Sequence, residues 1–145
     1  MSKIKEVLEA IQEKLTDDWV WDTDPTAEWF PNLEQTKLRT NGLSAIVLPV
    51  NSPIDPAARS IQQQQPNIHI AIVAPIEAGG LDEGDAVVEL AEEIGRALVH
   101  TTLALAGGGS VAIVEAGLEP VIVADMARQF NLWVSYLKLE VSVND

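Results

Sequence analysis

Apolar residues recur at intervals of three and four in two parts of the chain. The first set is Ile4, Val7, Leu8, Ile11 and Leu15, with Lys and Glu between its members. This spacing predicts an amphipathic helix over residues 3–15 that packs one stripe on a core. The second set is Val87, Leu90, Ala91, Ile94 and Leu98. It predicts a helix over residues 85–100, with Asp82 or Asp85 accepting hydrogen bonds from its first amides.

The last hydrophobic stretch, residues 129–143, has a period of two instead. One side holds Trp133, Ser135, Leu137, Leu139, Val141 and Val143, and the other holds Leu132, Val134, Tyr136, Lys138, Glu140 and Ser142. Alternation with β-branched and aromatic residues predicts a strand. At a rise of ~3.3 Å per residue, this strand would be about twice as long as a usual strand. The second half is polar on one side. We therefore expect this strand to begin inside a sheet and to overhang it, with Leu139 and Val141 facing outward.

Shorter apolar runs predict the other strands. They are residues 43–50, 68–74, 111–114 and 121–124, with a weaker candidate at 33–40, a hairpin turn at Asn41-Gly42 and a turn around Gly117. The element order α-β-β-β-α-β-β is typical of an α+β fold. We expect a mostly antiparallel sheet of about four to six strands with two main helices packed on it. A chain of 145 residues without a dividing linker indicates a single domain over 1–145.

Two segments interrupt these patterns, at about residues 16–32 and 51–67. The first concentrates aromatic and acidic residues, and the second contains three prolines and four consecutive glutamines. Aromatic side chains in a loop anchor it to the protein's own body or bind a partner, and the residues leave both alternatives open. We interpret both segments as partner-facing loops. The candidate interface residues are Trp19, Trp21, Trp29, Phe30 and Arg59, together with Leu139 and Val141.

Composition and charge narrow the function. The net charge of −13, from 22 acids against 9 bases, argues against specific nucleic-acid binding and against anionic membrane surfaces. No apolar run approaches the ~18 residues that a membrane span requires, and the first residues lack the apolar core of a signal peptide. The absence of cysteine fits a reducing compartment.

The sequence contains no recognisable catalytic or ligand-binding motif. There is no GxSxG or GxxxxGK[ST] pattern, and His69 and His100 stand in apolar contexts that suit core-edge or helix-capping roles. The glycines at 107–109 precede a strand, so we interpret them as a helix C-terminus followed by a turn and not as a phosphate loop. The acids after Asp22 lack the glycine and the final glutamate of a calcium loop. We predict no catalytic residue, no cofactor and no metal, so the protein is not expected to be an enzyme. A diffuse carboxylate site is the remaining catalytic alternative, since no pair among the acids stands out.

The order of elements resembles a known family. A first amphipathic helix precedes AIVLPV, then NIHIAIVAP, the helix EGDAVVELAEEIGRAL and the long strand FNLWVSYLKLEV. This layout is similar to that of the tail terminator, or tail-completion, proteins of tailed bacteriophages and prophages, especially of the Mu-like type. The resemblance covers nearly the whole chain as an order of elements and has no catalytic signature.

The resemblance implies a small subunit that forms a ring, typically a homohexamer, which caps the tail tube and presents a surface to the neck. Its partners would be copies of itself, tail tube proteins and neck or connector proteins. Its place would be the virion tail, and the bacterial cytoplasm during assembly. The residues also leave open a small cytosolic adaptor module that binds one protein partner through the Trp-rich loop.

Overall fold

The structure, a computed structural model, describes residues 3–28, 42–49, 67–76, 81–118 and 132–144. Its helices are α1 (Lys3–Asp18) and α2 (Leu81–Leu98), and its strands are β1 (Thr26–Ala27), β2 (Ser44–Pro49), β3 (Asn67–Pro75), β4 (Thr102–Ala104), β5 (Ser110–Leu118) and β6 (Leu132–Asn144). The strands form one six-stranded sheet in the order β1-β2-β3-β6-β5-β4. β1 is parallel to β2, and every other neighbouring pair is antiparallel. The predicted α+β fold is confirmed.

β6 lies in the middle of the sheet and joins its two halves. It pairs with β3 from Leu132 to Glu140 and with β5 from Leu137 to Asn144. Each residue of β6 therefore has a strand neighbour on at least one side, and the overhanging end expected from the sequence is wrong. The polar positions of its second half mark an exposed sheet face and not a missing neighbour.

The main core lies between one face of the sheet and both helices. Its largest fully buried side chains include Ile11 and Leu15 of α1, Ile94 and Leu98 of α2, and Ile68, Ile70, Ile72, Ile113, Leu137 and Leu139 of the sheet. Leu139 and Val141 are 0% and 3% exposed, so the outward orientation predicted for them is wrong. The side of β6 that carries them packs against the helices, so these side chains are buried within the subunit.

The opposite sheet face carries a smaller apolar cluster near the start of β6. Five buried residues form it, Ile46, Ala71, Val73, Leu132 and Val134, and neither helix contributes a residue to it. Next to this cluster the rings of His69 and Tyr136 stack with their centroids 5.1 Å apart. Desolvation by burial raises the pKa of the Tyr136 hydroxyl above its usual value. Both faces of the first half of β6 are therefore largely buried, as its two-sided apolar pattern predicts.

Two glycine-containing segments differ from their predicted structure. β5 is continuous through Gly117, where a turn was expected, and a β-bulge between Ile113 and Glu115 shifts its register against β6. The glycines at 107–109 form the tip of the β4–β5 hairpin, not a helix end, and Gly108 and Gly109 have φ angles of 99° and 82°. Glycine suits these positions because left-handed backbone conformations cost it little. Neither difference alters the order of the main elements.

The ends of α2 also differ from the sequence prediction. The helix begins at Leu81, so Asp82 and Asp85 lie within it and neither is its N-cap. It ends at Leu98, and His100 follows in a left-handed conformation with φ 67°. Histidine is among the residues that adopt this conformation more readily. The strands expected at 33–40 and 121–124 lie outside the described residues.

Candidate assembly surface

The Trp-rich segment is attached to the body of the protein where the structure describes it. Trp19 and Trp21 are partly buried against the main core. The Trp21 Nε1–H group donates a hydrogen bond of 2.8 Å to the carbonyl oxygen of Leu15, at the end of α1. These contacts support the self-anchoring alternative for both indoles. The other aromatic candidates, Trp29 and Phe30, and the basic candidate Arg59 lie outside the described residues.

Polar groups after Trp21 tie this segment to the sheet. The Asp22 carboxylate accepts a hydrogen bond of 2.7 Å from the Leu43 N–H group, and the Leu43 carbonyl accepts one of 3.0 Å from the Asp22 N–H group. The Gln12 side chain of α1 donates to the Pro25 carbonyl at 3.0 Å. Asp22 thus has a structural role in placing the chain beside β2. Within the described ranges, no group of three or more His, Asp or Glu side chains is arranged to hold a metal ion.

A buried glutamate fixes the β4–β5 hairpin to α1. Glu6 is 4% exposed, and its Oε1 atom accepts a hydrogen bond from the N–H group of Gly107. A Cβ atom on Gly107 would collide with the Glu6 carboxylate. This contact holds the hairpin against the helix side of the sheet, so the Glu6 carboxylate serves the architecture.

The outer side of β5 is paired along part of its length. β4 pairs with Ser110–Ala112, and Ile113 donates to Thr101 at 2.8 Å and accepts from His100 at 2.7 Å. From Val114 to Leu118, no described residue pairs with this side. Within the described part of the chain, the sheet therefore ends there in an open edge, residues 114–118 of β5.

The alternation of the backbone shows which groups point out of this open edge. Successive residues of a strand direct their N–H and C=O groups to opposite sides. Ile113 points outward to Thr101, and the bulged residue Val114 shifts the alternation by one position. Glu115 and Gly117 then point inward to β6, and Ala116 and Leu118 direct their N–H and C=O groups to the open side.

A groove runs beside the open edge, between it and the second half of α2. Its volume is ≈ 270 Å³. Its lining residues are Glu92, Gly95 and Arg96 of α2, Val99 just after the helix, and Ala116, Gly117, Leu118 and Leu137 of the sheet. Gly95 lets the helix approach closely, since a Cβ atom there would lie 3.0 Å from the Leu137 Cδ1 atom. Arg96 is 73% exposed at the rim, and its ion pair with Glu92 is long, at 3.8 Å. The groove thus combines a mostly apolar floor with a rim that carries one positive and one negative charge, Arg96 and Glu92. We call it the α2 groove.

The other face of the open edge is more polar. Glu115 and Glu140 lie directly opposite each other on β5 and β6, and like charges in this arrangement repel. They line a shallow pocket of ≈ 230 Å³ together with Lys138 and Gly117. Val114, at the bulge, is 50% exposed, which is high for an apolar strand residue. The open edge is therefore flanked by an apolar groove on one face and by acidic groups on the other.

Comparison with known proteins supports the fold. No family model matches the chain. No curated protein matches it either. A solved structure of a protein whose name describes no function matches with a TM-score of 0.58 and 15% identity, over 97% of this chain and 95% of that one. At this level of identity the match shows the fold alone. Neither described helix has the length and apolar composition needed to cross a bilayer.

The structure separates the candidate residues and reveals a surface that the sequence analysis missed. Trp19 and Trp21 pack beside α1, whereas Leu139 and Val141 lie in the main core. The sequence does contain a signal for the open edge. The run SVAIVEAGL loses its clean alternation where Glu115 follows Val114, and a glycine within a strand often marks a bulge or a close approach.

Proposed function

We propose that this chain is a structural subunit of a phage-type tail that assembles with copies of itself into a ring, typically a hexamer. The ring caps the tail tube and joins it to the neck. The order of elements supplies the resemblance to tail terminator proteins. The observation that carries the assembly part of the proposal is the open edge of β5 over residues 114–118, with the α2 groove beside it.

An open edge is a surface that a protein must protect or use. Unpaired N–H and C=O groups attract another extended chain, and natural proteins usually cover them, shorten the strand or place charges on it. Here the bulge and Glu115 give some protection, whereas Val114 and the α2 groove add exposed apolar surface. Strand addition at such a place supplies main-chain hydrogen bonds, and a groove alongside supplies contacts for alternate side chains. This combination favours assembly over an isolated monomer.

Ring formation places a further demand on the subunit. In a closed ring larger than a dimer, each subunit uses two different surfaces, one for each neighbour. Among the described strands, the sheet has two separate ends, β1 at one side and the open edge of β5 with β4 at the other. A subunit with one edge at each side of its sheet suits a head-to-tail contact that repeats around an axis.

The acidic character of the chain fits a ring through which DNA passes. The subunit carries a net charge of −13, and Glu115 and Glu140 are exposed on the sheet face away from the helices. A channel lined with acids repels the phosphate backbone and lets DNA move without binding. The adaptor alternative has less support, because Trp19 and Trp21 pack on the chain's own core.

Light scattering behind a sizing column, at two ionic strengths and several protein concentrations, tests the proposal directly. We expect a species of about 94 kDa, six times the 15.7 kDa subunit, with a ring outline in negative-stain images. If the free protein is monomeric, it is added to purified tail tubes of the Mu-like type, and rings are expected at the tube ends. A monomer in all these conditions that also fails to bind tubes contradicts the proposal.

A further inference from the structure

We draw no further inference here: the strongest candidate, the open edge of β5 over residues 114–118 with the α2 groove beside it, already belongs to the proposed assembly surface, and nothing in the described part of the structure shows which chain covers it.

Discussion

Ser135 is buried in the middle of β6, and none of the described residues forms a hydrogen bond with its hydroxyl group. The residue is 0% exposed, and its Oγ atom has no partner within the structure. Its neighbours on the same sheet face explain this. Ile72 lies directly opposite on β3, and Trp133 and Leu137 are two residues away on either side. Because these side chains offer no acceptor, Ser135→Ala should stabilise the protein.

The expected gain is the difference between two effects. Burying a hydroxyl group without a hydrogen bond costs about 1–3 kcal/mol relative to water. Removing the oxygen atom also removes its dispersion contacts with the core, worth roughly 0.5 kcal/mol for a few atom pairs. The net stabilisation is therefore about 1 kcal/mol, which corresponds to a rise in melting temperature of about 3–4 °C for a domain of this size.

Ser44 provides a matched control. It is 5% exposed, and its hydroxyl group donates a hydrogen bond of 3.4 Å to the Asp24 carbonyl oxygen. Ser44→Ala should therefore destabilise the protein by up to about 1 kcal/mol, the opposite sign. Urea unfolding at one fixed protein concentration, followed by circular dichroism, measures both variants. A loss of more than about 0.5 kcal/mol on Ser135→Ala would refute the reasoning, since it would mean that the hydroxyl group is satisfied, for example by a buried water molecule.

Three further predictions concern other parts of the fold. Gly107→Ala should destabilise the subunit by about 1–3 kcal/mol, because a Cβ atom at this position collides with the Glu6 carboxylate. Urea unfolding measures the change, and unchanged stability would contradict the close contact. Burial raises the pKa of the Tyr136 hydroxyl, so the stabilising contribution of this group is complete below pH ~10 and decreases as the pH rises through the folded-state pKa. Tyr136→Phe should therefore lessen the loss of stability at alkaline pH, measured by unfolding curves at several pH values. Identical pH profiles of the two proteins would argue against this pKa shift. The double variant Leu139→Lys/Val141→Lys should unfold and not merely dissociate, because both side chains lie in the main core, and a native circular dichroism spectrum would contradict this assignment.

Local periodicity was sufficient for the main elements of the fold. Both helices follow from apolar residues spaced three and four apart, and the central strands follow from apolar runs and from alternation of apolar and polar residues. The chain's own core imposes these patterns. The predictions around Gly117 and Gly107 were wrong for a physical reason. Glycine permits a turn, a bulge, a strand or a hairpin tip with little difference in local energy, so the pairing partners decide among them. Those partners are distant in sequence, as Gly117 opposite Lys138 illustrates.

The candidate surface was harder to predict than the fold. Alternation correctly placed Leu139 and Val141 on one side of β6, but it did not show that the helices pack against that side, and the burial of both residues depends on this packing. The open edge of β5 arises because β4 is three residues long and because a bulge follows Ile113. Both are properties of strand pairing, which the sequence pattern of a single strand indicates only weakly.

The position of β6 between the two halves of the sheet has a consequence for biosynthesis. β3 and β5 each pair with it, and neither pairs with the other, although β6 follows both of them in the chain. As the polypeptide emerges from the ribosome, each half presents an incomplete sheet until the residues of β6 have also emerged. Translation at about 5–20 residues per second makes this interval last on the order of a second or more. During that time the β3 side that later binds β6 is accessible to chaperones and to other nascent chains, so correct folding of the subunit depends on how promptly this strand is delivered.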